Sequence, residues 1–83
     1  MSPVAAPVVR YLHTMPRLAA AVTEQRLAQG WGQQQLADAA GVPLEAVEHL
    51  EGEQPVRTGL VCTILETLGV KPVMLPYELL GVR

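Results

Sequence analysis

The stretch Gln33-Gln34-Gln35-Leu36-Ala37-Asp38-Ala39-Ala40-Gly41-Val42-Pro43-Leu44-Glu45-Ala46-Val47-Glu48-His49-Leu50-Glu51 decides the fold. From Gln33 to Ala40 the apolar residues Leu36, Ala37 and Ala40 fall on one face at helical spacing. Gly41 stops that segment, because glycine alone adopts left-handed backbone without a steric cost. Pro43 stands in the first turn of a second short helix, which runs to Glu51 and ends at Gly52. Val47 and Leu50 are its inward pair. Two short helices joined by a tight turn are expected to cross steeply, with Ala37 small because the second helix passes close to it.

Outward from that core, a longer helix is expected over about Pro16 to Gln29, capped by Thr14 or Met15 and ended by Gly30. Its residues Leu18, Ala19, Val22, Arg26 and Leu27 recur at helical spacing. On the other side, after the loop Glu53-Gln54-Pro55-Val56-Arg57, Thr58 is placed to cap a fourth helix. That helix carries Leu60, Val61, Ile64, Leu65 and Leu68 and stops at Gly69. The ends are less regular. Pro3 and Pro7 disfavour helix in residues 1–15, and Val8 to Leu12 reads as a strand or extended arm, with a helical turn as the alternative. Beyond Val70, Pro72 and Pro76 exclude a long helix. Val73-Met74-Leu75 fits a short strand, and Tyr77 to Leu80 fits a helical turn closed by Gly81. The expected organisation is an arm at 1–15, a helical domain at 16–70 and an extension at 71–83.

Composition sets bounds on this reading. The 83 residues form one domain, and 49% are apolar. There is no Phe, so the core is built from Leu, Val, Ile and Ala with Trp31. A single cysteine, Cys62, excludes an internal disulfide and suits a reducing compartment, here expected to be the cytoplasm. No apolar run is long enough to span a membrane, and the first nine residues lack the basic start of a signal peptide.

The ordered set Arg26-Leu27-Ala28-Gln29-Gly30-Trp31, Gln33 through Leu36-Ala37, Ala40-Gly41-Val42, Val47, Leu50-Glu51-Gly52, Pro55 and Leu65 through Leu68-Gly69-Val70 resembles the Cro and phage-repressor helix-turn-helix family. The resemblance covers about half of the chain. It implies an all-α bundle of four to five helices, with short terminal strands available for dimerisation. It also implies that Arg26 pairs with Glu51 as a structural clasp. On the same ground, Gln33 at the start of the first motif helix reaches a phosphate or a base edge. Leu44, Glu45, Glu48 and His49 face the major groove, and Gln54, Arg57 and Thr58 touch the DNA backbone. Some members pair a strand after the last motif helix across a dimer axis, which assigns Val73, Met74 and Leu75 to dimerisation. The function implied is a sequence-specific transcriptional regulator, a homodimeric repressor that also fits the antitoxin of a toxin–antitoxin pair.

The charge runs against that picture. Between Arg17 and Val70 there are three cations (Arg17, Arg26, Arg57) and seven carboxylates, a balance of −4. Phosphate contact needs cations, because counterion release supplies most of the affinity. A dimer that gathers Arg10, Arg17 and Arg57 from two chains onto one face answers the difficulty. The alternative is an adaptor that uses the same scaffold, with an acidic recognition face, to bind protein. Enzymatic readings have little support. His13 and His49 have no partner at metal-ligand spacing, Cys62 lacks a base and reads as a buried apolar side chain, and no phosphate-binding glycine loop is present. No cofactor is expected.

Overall fold

The computed structural model describes residues 8–77 and Leu79, with side chains from Tyr11 onward. Four helices make the body: α1 (Met15–Ala28), α2 (Gln33–Ala40), α3 (Leu44–Glu51) and α4 (Thr58–Leu68). Two short strands flank it, β1 (Val8–Tyr11) and β2 (Val70–Met74). The fold is therefore the small helical bundle that the sequence pattern implies, with strands at its ends.

Each helix begins and stops for a local reason. At α1, Thr14 is extended and its Oγ1 accepts from the Arg17 N–H at 3.3 Å, with proline in the first turn. At α2, the backbone N–H of Gly32 donates to Gln35 Oε1 at 2.6 Å. This is the half of a capping box that needs no side chain on the cap residue. Gly41 ends α2 at φ 68°, and the Val42 N–H reaches back to the Ala37 carbonyl at 3.0 Å. Pro43 then sits at the cap of α3 with extended backbone, one place before the first turn where the pattern put it.

The end of α3 departs from expectation. Gly52 stays at φ −86°, and the left-handed residue is Glu53 at φ 62°. The turn is nonetheless a complete Schellman motif: Glu53 N–H donates to Leu50 O at 3.2 Å and Gln54 N–H to His49 O at 2.8 Å. The start of α4 departs as well. Thr58 is already helical, the cap position falls to Arg57, and the Thr58 hydroxyl donates to the Leu79 carbonyl at 3.3 Å. The tail returning over α4 thus takes the hydroxyl that was assigned to capping.

The core gathers residues from every helix: Leu18, Ala21 and Val22 of α1, Leu36 and Ala37 of α2, Ala46, Val47 and Leu50 of α3, and Val61, Ile64, Leu65 and Leu68 of α4. Trp31 packs against its edge, as its place between α1 and α2 suggests. Leu27 does not join; it is exposed, and the inward position one turn after Val22 belongs to Arg26. Cys62 is half-buried rather than buried.

The terminal segments belong to the same unit. Leu12, Val70 and Leu79 are buried in the core, so the body does not end at residues 16 and 70. β1 and β2 pair with each other in parallel, Val8 with Val70, Val9 with Lys71 and Arg10 with Pro72, then Tyr11 with Met74 after an irregularity. Parallel neighbours need a long crossover, and here the whole four-helix body supplies it. Pro72 is tolerated because both strands of a two-stranded sheet are edges. A helical turn around Tyr77 and Leu79 closes the described chain, Leu79 N–H donating to Pro76 O at 3.1 Å. Leu80 and Gly81, the rest of the turn read from the sequence, lie outside the described residues, as do the side chain of Arg10 and residues 1–7.

Candidate nucleic-acid interface

Two sides of α3 carry its polar residues, and they differ in what surrounds them. On the inner side, at its last residue, Glu51 is 8% exposed and faces Arg26, itself 12% exposed. The contact is bidentate: Arg26 Nε to Glu51 Oε2 at 2.7 Å and Nη2 to Oε1 at 3.0 Å. Arg26 Nη1 also donates to the Trp31 carbonyl at 2.8 Å. Two further donors reach Glu51 Oε1: the Thr23 hydroxyl at 3.0 Å and Gln33 Nε2 at 3.3 Å. One carboxylate thereby ties α1 and the start of α2 to the end of α3, and Arg26 adds the α1–α2 turn.

The hydrogen bond to Glu51, supported by the opposite charge, holds the Arg26 guanidinium above its ordinary pKa, against the smaller opposing effect of burial. A cation whose folded value is raised gives its full contribution below the ordinary value and loses it only as pH climbs through the folded one. The clasp is therefore intact across the neutral and mildly alkaline range.

On the outer side, Glu45, Glu48 and His49 are exposed, while Ala46, Val47 and Leu50 point into the core. Glu45 lies in the first turn of α3, beside the partial positive charge of the helix start. Glu45 and His49 line a shallow groove of about 290 Å³ with Arg57, floored by Ala46, Val56 and Leu60 and rimmed by Pro43 and Pro55. Arg57 and Gln54 are exposed.

The eight residues expected at a DNA surface thus separate into two groups. Glu45, Glu48, His49, Gln54 and Arg57 stand outward. Three are engaged elsewhere: Gln33 turns its amide to Glu51, Leu44 is half-buried against the core, and the Thr58 hydroxyl is held by Leu79. The other two glutamines of the triplet are also used within α2, Gln34 with Asp38 at 2.8 Å and Gln35 at the cap.

The strand assigned to dimerisation has an in-chain partner, β1, on one edge. Val73 and Met74 are exposed, and Leu75 packs partly on the core. Tyr11, in register with Met74, and Tyr77 are exposed as well. The sequence pattern places the two tyrosines in a strand and at the start of a helical turn but gives neither a contact role. Their signal lay in an aromatic at the end of each apolar terminal run. The pattern also gives no role to Thr23, three residues before Arg26 and so on the same helix face.

No known family model matches the chain, and no curated protein matches it. No helix among the described residues is long and apolar enough to cross a membrane.

Proposed function

We propose that the chain is a sequence-specific DNA-binding regulator of the Cro and phage-repressor type, acting in the cytoplasm as a homodimeric repressor. The observation that carries this reading is the pair of eight-residue helices α2 and α3, turned at the left-handed Gly41, with the second helix buried on one side only. Its outward side offers Glu45, Glu48 and His49 to a groove, with Gln54 and Arg57 beside them for the backbone. The start of α2 adds backbone N–H groups suited to a phosphate.

A second copy supplies what one chain lacks in charge. The exposed Val73 and Met74 on the open edge of β2, with Tyr11 and Tyr77, are the surface proposed to meet it. Two α3 helices would then address half-sites about one DNA turn apart. A toxin-type protein partner on the same apolar surface suits an antitoxin that represses its own synthesis.

The test is anisotropy of a labelled duplex taken from upstream of the coding sequence, against a scrambled duplex. Selective binding is expected. Arg57→Ala is expected to weaken both duplexes alike and to lower the salt slope by about one. Val73→Lys with Met74→Lys is expected to turn a dimer into a folded monomer by sedimentation.

A second reading rests on three exposed carboxylates on and just after α3, Glu45, Glu48 and Glu53: an adaptor that meets a basic protein. It predicts a protein complex lost on Glu48→Gln, and no duplex bound.

A further inference from the structure

The unusual feature of α3 is that the centre of its outward arc is acidic. At 3.6 residues per turn, Leu44, Glu48, Glu45 and His49 follow one another around an arc of about 140°. Leu44, at one margin, is half-buried, and His49 holds the other. Glu45 and Glu48 therefore occupy the middle. Any duplex that takes α3 into its major groove meets these two carboxylates before any other polar group of the helix.

A carboxylate only accepts hydrogen bonds. Most of the major-groove edge also accepts: guanine N7 and O6, adenine N7 and thymine O4. Two groups donate, the N4 amino group of cytosine and the N6 amino group of adenine. Beside adenine N6 stands N7, an acceptor that repels the second carboxylate oxygen. A glutamine satisfies that donor–acceptor pair, and a glutamate does not. Cytosine presents its amino group with no acceptor on its own major-groove edge. The duplex repels a carboxylate through its phosphates everywhere, so Glu45 and Glu48 are compatible with binding only where each finds such a donor.

We infer that Glu45 and Glu48 are specificity-determining residues that accept from cytosine N4 amino groups, so that each half-site carries cytosine at the two positions they face. This rests on the DNA-binding reading above and deepens it. His49 lies one turn beyond Glu45 in the same groove-lined surface. Its ring N–H is a donor suited to guanine N7 or O6, the acceptors that accompany cytosine in a C·G pair. The acidic centre thus acts as negative selection as well: A·T-rich sites offer a carboxylate only adenine N6, with the N7 acceptor beside it, or the O4 and methyl group of thymine.

The test is selection of duplexes from a randomised pool by the full chain, with wild type, Glu45→Gln and Glu48→Gln run side by side. Both substitutions are at exposed positions, and circular dichroism checks that the fold is kept. Wild type is expected to enrich sites with cytosine at two positions per half-site. Glu45→Gln is expected to change the preference at one of them from cytosine to adenine, by about 10-fold, and Glu48→Gln at the other. Enrichment of a defined site that lacks cytosine, or the same site for all three proteins, overturns this assignment and leaves the regulator standing. No enrichment by wild type at low salt, from protein that is folded, overturns both.

Discussion

The glutamates at the two sides of α3 are chemically identical and stand in opposite circumstances. Glu51 receives hydrogen bonds from Arg26, Thr23 and Gln33 and is almost out of solvent. Glu45 and Glu48, on the same helix, are exposed. The first is held by the fold and holds it in return. The other two stand in solvent and are expected to contribute little to stability. Unfolding experiments should therefore respond to changes at Glu51, and any effect of changing Glu45 or Glu48 should appear in binding.

The largest expected effect comes from breaking the inner side. Glu51→Ala leaves the Arg26 guanidinium nearly buried and unpaired, and should cost roughly 3–5 kcal/mol in urea unfolding. In a domain this small, that is a large share of the total stability. Arg26→Lys is gentler. An ammonium keeps the charge but cannot make the bidentate contact and reach the Trp31 carbonyl together, and about 1–2 kcal/mol should be lost. Losses of equal size for Arg26→Lys and for an exposed control such as Arg17→Lys would count against the clasp.

A fourth glutamate, Glu53, sharpens the contrast, because its backbone and not its side chain is the unusual feature. It holds the left-handed position that closes α3, where glycine is the unstrained residue. Glu53→Gly should stabilise the protein by about 0.5–1 kcal/mol. A loss of stability instead would mean that the side chain does structural work at that turn. The smallest effect on folding is expected from the outer side: Glu45→Gln with Glu48→Gln should leave stability within about 0.5 kcal/mol. If the proposed DNA-binding role holds, removing two negative charges from the outward side of α3 should meanwhile strengthen non-specific DNA binding, measured at low salt.

The helical body was legible because strong local signals agree. Glycine stops at Gly30, Gly41 and Gly69, apolar pairs at helical spacing, and Thr14 before Pro16 each specify one boundary. The Arg26–Glu51 pair was legible through the family resemblance. What the sequence left obscure depends on groups brought together from a distance. Thr58 looks like a cap until the tail places the Leu79 carbonyl over its hydroxyl, 21 residues on. Gln33 looks like a free polar side chain until Glu51 arrives 18 residues later. The terminal runs looked like separate arms because neither has a local partner. Their parallel pairing spans the whole helical body, and no pattern within either segment encodes it. Leu27 reads with the apolar face of α1 in the sequence and still faces solvent, because it lies about 100° around the helix from Arg26, which holds the inward position.

The most direct test of the account is the salt dependence of binding between the folded protein and a duplex from its own upstream region. A DNA-binding regulator should bind at low salt, selectively over a scrambled duplex. On a log–log plot the affinity should fall linearly with salt, with a slope that counts the phosphates contacted. No binding to either duplex at low salt, from protein that keeps its helical spectrum, would contradict this reading and direct attention to a basic protein partner for the acidic side of α3.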